Sequence, residues 1–303
     1  MKQIICRRFK LKIPVVLVLA IFWGHSGPVN SSEEEVVYQI IGPQIPEKSP
    51  IRPKRNLNFP SPQSSPPMGE RRKSLLSAKW TRAQLEARAG FEEISSLYSD
   101  KALGYEGSKF RAVSFSGLVD LFDPEGRSDA VLLNCFDDYQ GILSIADIRR
   151  YNIQLATRIT IRPEFNKPDW LNPLMVIVPD NRKAPFQERY LTANIRELKF
   201  TRLSEYYAPF REVGGASSGY SAFKDNCLFC HSLMGIGGNK GIRLLESYDF
   251  SRMEGENRFK KDFAAFHHKE NADKQNVEQF ISESQLKAIT EFLRRVNDFV
   301  GPN

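Results

Sequence analysis

Residues 227 to 231 read Cys-Leu-Phe-Cys-His, which places two thiols three positions apart and an imidazole directly after them. Two thiols at this spacing can add to the two vinyl groups of one porphyrin, while the adjacent histidine binds the iron from one face. We therefore predict one covalently bound haem c. Cys227 and Cys230 would form the thioether bonds, and His231 would be the proximal axial ligand.

Two other kinds of site use a cysteine pair of this spacing, namely a dithiol redox centre and one half of a zinc site. A zinc site needs two further ligands, and after the N-terminal segment the chain offers only His267, His268 and the distant Cys135 besides the motif itself. A redox pair usually stands between a strand and a helix, whereas glycines flank this motif on both sides. The haem interpretation is preferred, and both alternatives stay open at this point.

The N-terminal residues indicate export. A basic head precedes an eleven-residue apolar core, Ile13 to Trp23, and Gly24-His25-Ser26 supplies small residues at a cleavage position. This order predicts a secretory signal peptide over residues 1–26. The core is short for a bilayer span, so we expect membrane association only if the signal is not cleaved. Because c-type haem is attached outside the bacterial cytoplasmic membrane, the motif and the signal together predict a periplasmic protein.

Removal of this signal changes the charge of the chain. Residues 1–26 carry five of the 43 basic residues and no acidic residue, which leaves 38 basic against 36 acidic side chains, a net charge of about +2. With this balance, and without a basic run interleaved with aromatic residues, we expect no nucleic-acid binding. Loss of Cys6 leaves Cys135 as the one thiol outside the haem motif.

The composition shifts after the signal. Residues 27–79 are rich in Pro, Ser and charged side chains, and eight of the 18 prolines lie between Pro43 and Pro67. Such a segment cannot bury enough apolar surface to fold on its own. We therefore predict a disordered Pro/Ser-rich linker, which acts either as a spacer or as a docking segment for a partner.

Residues 80–212 are predicted to form a mixed α/β domain. Thr81 and Gln84 make a capping box for a first helix that Gly90 ends, and Ser144 begins another short helix. Apolar and alternating runs predict strands at four places. These are Phe110–Phe115, Ala130–Leu133 with Asn134 and Cys135 at its end, Pro173–Val178, and the alternating Leu191, Ala193 and Ile195.

Residues 213–303 are predicted to form a small all-α domain. Ser282 and Gln285 make a capping box before an apolar stripe at helical spacing. The stripe consists of Leu286, Ile289, Phe292, Leu293, Val296 and Phe299. Together the haem motif, the glycine-rich loop that follows it and this terminal helix resemble a class I cytochrome c domain with a single haem. The resemblance implies a helical fold around the haem and a role in electron transfer.

The same resemblance sets expectations for the iron ligands. Family members usually place a proline after the last glycine of the loop, where a backbone carbonyl accepts a hydrogen bond from the proximal imidazole. Here that position is Ile242, whose carbonyl can serve in the same way. The sixth ligand is typically a methionine shortly before the last helix, but residues 269–281 contain none. The candidates are His267, His268 and Met253, with an open position as a further alternative.

The order of elements in the upstream domain resembles the small sulfite-oxidase-like fold, which binds molybdopterin in its active members. The likeness includes the strand that leads into 134–139 and the apolar strand over 173–179. In active members a cysteine thiolate after a strand binds molybdenum, and Cys135 is the residue here that could do so. The domain has no histidine, and Asp137 and Asp138 would repel an oxyanion. We expect a cofactor-free relative in which Cys135 is a small buried hydrophobe.

These observations predict an α+β, multidomain chain in which a sulfite-oxidase-like α/β domain precedes a small all-α cytochrome c domain. The expected function is one-electron transfer in the periplasm rather than enzymatic catalysis, with the upstream domain docking a redox partner protein or sensing a ligand. The alternative is a molybdenum-dependent oxidoreductase with its catalytic centre at Cys135. In that case the enzyme would act on a small oxyanion, and the haem would relay electrons.

Overall fold

Nine strands lie in the described residues that precede the haem motif. They are seen in a computed structural model that describes residues 36–43, 77–213, 217–267 and 281–301. In chain order the strands are β1 (Val37–Ile41), β2 (Ser77–Thr81), β3 (Glu92–Ile94), β4 (Lys109–Ser114), β5 (Ala130–Cys135), β6 (Gln140–Ser144), β7 (Gln154–Thr160), β8 (Met175–Ile177) and β9 (Ile195–Thr201).

The strands form two sheets. The larger sheet has the order β2-β1-β9-β5-β6, and the smaller sheet has the order β3-β4-β7-β8. Neighbouring strands are antiparallel except β1 and β9, which run parallel. The hairpin of β5 and β6 lies at one edge of the larger sheet, so its connecting turn, residues 136–139, extends beyond the strands. This turn is important for the site described below.

Helices connect the strands and make up most of the chain after them. In chain order the α-helices of the described residues are α1 (Arg82–Ala89), α2 (Leu97–Leu103), α3 (Phe115–Phe122), α4 (Ile145–Arg150), α5 (Leu203–Tyr206), α6 (Ser218–Asn226), α7 (Leu244–Ser247), α8 (Met253–Phe266) and α9 (Glu283–Val300). Two short 3₁₀ helices cover Glu188–Leu191 and Ala208–Phe210. Within the described ranges, none of the helices combines the length and apolarity needed to cross a bilayer.

Local capping explains where several helices begin. Both capping boxes predicted from the sequence are confirmed, with Thr81 and Gln84 at α1 and Ser282 and Gln285 at α9. At α4 the Ser144 hydroxyl accepts a hydrogen bond from the Asp147 amide, as predicted. Each cap satisfies a backbone donor that would otherwise have no partner in the first turn of its helix.

Three hydrophobic cores hold the described elements together, of which the third and smallest contains Phe110, Met175 and Leu191. The first takes buried side chains from both sheets, among them Leu133 of β5, Leu155 of β7 and Val176 of β8. The second is built from the helices around the haem motif and begins at Phe210, shortly before the predicted domain boundary at 212/213. The described residues therefore have the predicted α+β character, with strands and short helices mixed before residue 213 and helices making up most of the chain after it.

The structure differs from the predicted linker at β1. Tyr38 and Ile40 are buried, and the strand pairs with β9 on one side and β2 on the other. Pairing with β9, far downstream, supplies the apolar contacts that this Pro- and Ser-rich segment cannot provide by itself. The other residues of 27–79, apart from Val36 to Pro43 and Ser77 to Lys79, lie outside the described residues, as does the predicted signal peptide.

The predicted strand through Leu191, Ala193 and Ile195 is wrong in its first half. Residues Glu188–Leu191 form a 3₁₀ helix, and Asn194 has a positive φ of 56°, which interrupts the extended backbone before β9 begins at Ile195. Leu191 and Ala193 instead line the cavity described below. Both side chains also pack in the hydrophobic core that includes Phe110 and Met175, so their burial does not require a strand.

Candidate haem-binding site

A single tight turn at the end of α6 presents the three side chains of the Cys-x-x-Cys-His motif. The Cys227 amide donates to the Phe223 carbonyl at 2.8 Å, which continues the helical pattern into the motif. The amides of Cys230 and His231 both donate to the Cys227 carbonyl, at 3.1 and 2.8 Å. This turn brings both thiols and the imidazole to the same cavity.

Close packing against the C-terminal helix fixes the position of α6. A methyl group on Gly219 would overlap the Ala288 carbonyl of α9, so only glycine permits this approach. One turn further along, the rings of Phe223 and Phe292 have centroids 5.7 Å apart. The helix that carries the thiols is therefore held by the second hydrophobic core.

The His231 ring is oriented by the backbone of the following loop. Its Nδ1 lies 2.8 Å from the carbonyl oxygen of Ile242, as predicted for that carbonyl. Since a carbonyl only accepts hydrogen bonds, Nδ1 carries the proton and Nε2 is the nitrogen left for a metal. Burial lowers the pKa of His231, which keeps the ring in its neutral, metal-binding form at neutral pH.

Gly241 leaves room for the His231 ring. A methyl carbon at this position would lie 2.5 Å from Nδ1 and 2.8 Å from Nε2 of His231, closer than van der Waals contact permits. The Gly241 amide donates to the Cys230 carbonyl at 2.7 Å, which ties this loop to the motif.

We expect Gly241→Ala to displace the His231 ring and break its hydrogen bond to Ile242. With haem attached as the sequence predicts, absorption spectroscopy should then reveal a heterogeneous spin state with a shifted Soret band. The matched control is Gly117→Ala in α3, where a methyl group would make only ordinary contacts with Ser114, at 3.4 Å or more. Identical spectra for the two variants would show that position 241 does not control the ring.

A cavity of about 730 Å³ opens beside the motif, within the size range of cofactor sites. Its lining is predominantly apolar and comes from both parts of the chain. The helical side contributes Cys227, Phe229, Cys230, His231, Gly241, Ile242, Leu244, Tyr248, Phe259, Phe263, Phe266, His267 and Ile281, and the sheet-containing side contributes Ala102, Leu103, Tyr105, Tyr139, Pro168, Trp170, Leu191 and Ala193. Four charged side chains, Asp137, Glu188, Lys240 and Asp262, complete the wall together with Asn226.

The other axial candidates are placed very differently. His267 follows the last residue of α8 and lines the cavity, with its ring centroid 6.1 Å from that of His231. Met253 is the first residue of the same helix, is 72% exposed and is absent from the cavity wall. His268 lies outside the described residues.

The surroundings of the two thiols do not favour a dithiol redox centre. Burial raises the pKa of Cys227 to about 12, with a further contribution from the Glu188 carboxylate, and it also raises the pKa of Cys230. Redox-active cysteines act as thiolates and sit where their pKa is lowered. These two cysteines are therefore better suited to tether an apolar group than to act as anions.

Cys135 does not share this cavity. It is 1% exposed at the end of β5, belongs to the core formed by both sheets, and is absent from the cavity wall. Burial, together with the nearby Asp137 carboxylate, raises the pKa of its thiol. In this position Cys135 packs as a small hydrophobic side chain.

The turn between β5 and β6 docks against the haem motif. The Gln140 amide donates to the Phe229 carbonyl at 3.0 Å, and the Asn239 amide donates to the Asp138 carbonyl at 2.8 Å. Within this contact the rings of Tyr139 and Phe229 stack with centroids 5.1 Å apart. The sheet-containing part is thus joined to the haem motif by backbone hydrogen bonds as well as by ring packing.

Sequence reasoning missed the aromatic residues that the sheet-containing side contributes, Tyr105, Tyr139 and Trp170. Trp170 lies in a Pro- and Asn-rich segment with no apolar periodicity of its own. Large aromatic side chains in such loops could have indicated a buried site, because they need an apolar surface to cover them. No protein-family model and no curated protein matches the chain.

Proposed function

We propose that this chain is an exported c-type cytochrome that carries one electron at a time between redox partner proteins. The observation that carries the proposal is the cavity at which Cys227, Cys230 and His231 meet, with the Ile242 carbonyl fixing the imidazole. Export and a periplasmic location follow from the basic and apolar segment at residues 1–26.

The residues present fit a covalently held haem. Both thiols line one apolar cavity, within reach of a single group, and Nε2 of His231 is available for iron. When bound, the haem would supply reversible one-electron chemistry. The chain would tether it through Cys227 and Cys230, orient its proximal ligand through Ile242 and keep water from most of its surface. Such exclusion of water is one of the means by which a protein sets a haem potential.

The sheet-containing part would serve as a wall of the haem pocket. Tyr105, Tyr139 and Trp170 line the cavity together with residues of the helical part, and the turn 136–139 contacts the haem motif. We propose that this part is a cofactor-free, sulfite-oxidase-like domain that covers one side of the haem. A redox partner would then meet the remaining haem edge together with the surface of this domain.

The molybdenum alternative gains no support from the placement of Cys135. A thiolate ligand must reach the metal, but this side chain is buried in the core formed by both sheets. Cys135 therefore lacks the access that molybdenum binding requires.

The proposal is tested by counting metals per chain with elemental mass spectrometry. The protein would be produced in a host that attaches c-type haem and also makes molybdopterin. We expect one iron and no molybdenum per chain. Protein without iron would overturn the proposal, whereas near-equal iron and molybdenum would restore the oxidoreductase hypothesis and direct attention to Cys135.

A further inference from the structure

We infer that His267 is the second axial ligand of the iron, so that the haem is held between two histidines. The inference rests on the proposed haem function and assigns a ligand that departs from the methionine of the class I cytochromes. Three independent features of the cavity support it: the separation of the two imidazoles, the packing that fixes the second ring, and the position of the competing methionine.

The separation matches a single metal ion between two imidazoles. The ring centroids of His231 and His267 are 6.1 Å apart. A metal–imidazole bond is about 2.0–2.1 Å long and the nitrogen lies about 1.1 Å from the ring centre, so two imidazoles on opposite sides of one metal have centroids roughly 6.2–6.4 Å apart. A direct hydrogen bond between the rings would bring the centroids to roughly 5 Å.

An ordinary contact between two aromatic rings can also have a separation near 6 Å. The residues around the two imidazoles therefore have to distinguish ligation from simple packing. Both imidazoles line the cavity into which Cys227 and Cys230 project, and Nδ1 of His231 is already bonded to Ile242. The two rings are inclined at 34°, neither stacked nor edge-to-face. A porphyrin tethered by the two thiols would therefore have one imidazole on each of its faces.

Two aromatic side chains fix the orientation of the His267 ring. It stacks on Phe263 with centroids 4.8 Å apart and an angle of 10°, and it packs edge-to-face against Phe266 at 5.1 Å. The His267 amide donates to the Phe263 carbonyl at 2.8 Å, which continues the hydrogen bonding of α8 to this residue. Packing of this kind lowers the entropic cost of ligation and favours a defined axial geometry.

The competing methionine cannot reach the same iron. Met253 and His267 stand at opposite ends of α8, which at 1.5 Å per residue separates them by about 20 Å. The Met253 side chain is also largely exposed. With two histidine ligands the iron has no open position for a gas or peroxide, and its potential lies below that of a His/Met haem.

The test begins with the haem-loaded wild-type protein. Near-infrared magnetic circular dichroism of the ferric state distinguishes His/His from His/Met ligation, and we expect the His/His signature. The ferrous protein should not bind carbon monoxide in the absence of denaturant. A His/Met signature or rapid carbon monoxide binding would overturn the inference. Protein that contains no haem at all would overturn the proposed function itself, which is a separate and recognisable outcome.

Substitutions then identify the residue. His267→Ala should retain covalent haem, become high-spin, bind carbon monoxide and recover the low-spin spectrum when imidazole is added. His267→Met should raise the midpoint potential. The matched controls His268→Ala and Met253→Ala should leave the spectrum unchanged. A high-spin haem in His268→Ala, or an unchanged low-spin spectrum in haem-loaded His267→Ala, would assign the sixth position to another residue.

Discussion

Replacing Cys227 and Cys230 together by serine should abolish covalent haem attachment completely. The two thiols are the described cysteines that line the cavity, and a serine hydroxyl does not form the thioether bond. Haem that remained would be held only by axial ligation and packing. Acidified organic solvent should therefore extract all haem from the double variant and none from the wild type, as measured by absorbance of the protein fraction.

The single variants make the same test more specific. Cys227→Ser should retain one thioether, at Cys230, and give less holoprotein than the wild type. Cys135→Ser is the matched control, because the same substitution is made at a buried thiol in the sheet core rather than at the cavity. It should retain one covalent haem per chain. Loss of haem from Cys135→Ser, or covalent haem in the double variant, would show that the cofactor has been assigned to the wrong cysteines.

The features predicted correctly from the sequence are those that depend on residues close together in the chain. The capping boxes at Thr81 and Ser282 need only four consecutive residues each, and both are present in the structure. The hydrogen bond between His231 and Ile242 was expected from the resemblance to class I cytochromes, and it spans one short loop whose glycines bring the two residues together. In such cases the local pattern contains most of the information that determines the structure.

The features that were missed depend on residues far apart in the chain. Val37–Ile41 form a strand because β9 provides the pairing surface, which the Pro-rich context conceals. The wall of the cavity combines Tyr139, Trp170 and Ile281, three residues that no sequence window contains together. His267 could be proposed as a ligand from its type alone, but only the fold places its ring beside that of His231.

The terminal helix illustrates both kinds of information. Helical spacing correctly identified Ile289, Phe292, Leu293 and Val296, which are all buried in α9. It also assigned Phe299 to the same stripe, but this side chain is 52% exposed. Helical spacing shows which side chains share a face of the helix, but not how far along the helix its neighbours cover that face. Here α6 packs against Phe292. The prediction that the core extends to Phe299 was therefore wrong.

Phe292→Ala should lower the free energy of unfolding by about 3–5 kcal/mol. The Phe292 ring is 0% exposed and contacts the rings of Phe210, Tyr220 and Phe223, with centroids 5.7–6.0 Å apart. Its removal leaves a cavity at the contact between α9 and α6 that the surrounding rings can fill only in part. Urea unfolding of the haem-loaded chain, followed by far-ultraviolet circular dichroism, measures the loss.

Phe299→Ala is the matched control, since it makes the same change in the same helix. We expect it to alter the free energy of unfolding by no more than about 0.5 kcal/mol, as is usual for exposed positions. Phe292→Ala should also broaden the haem spectrum, because Phe223, which packs on Phe292, lies one turn before Cys227 in the helix that carries the thiols. Equal destabilisation by the two substitutions would contradict the burial pattern of α9. Destabilisation by Phe292→Ala with an unaltered haem spectrum would instead mean that the haem motif is held by its covalent bonds and by the turn 136–139, independently of the second core.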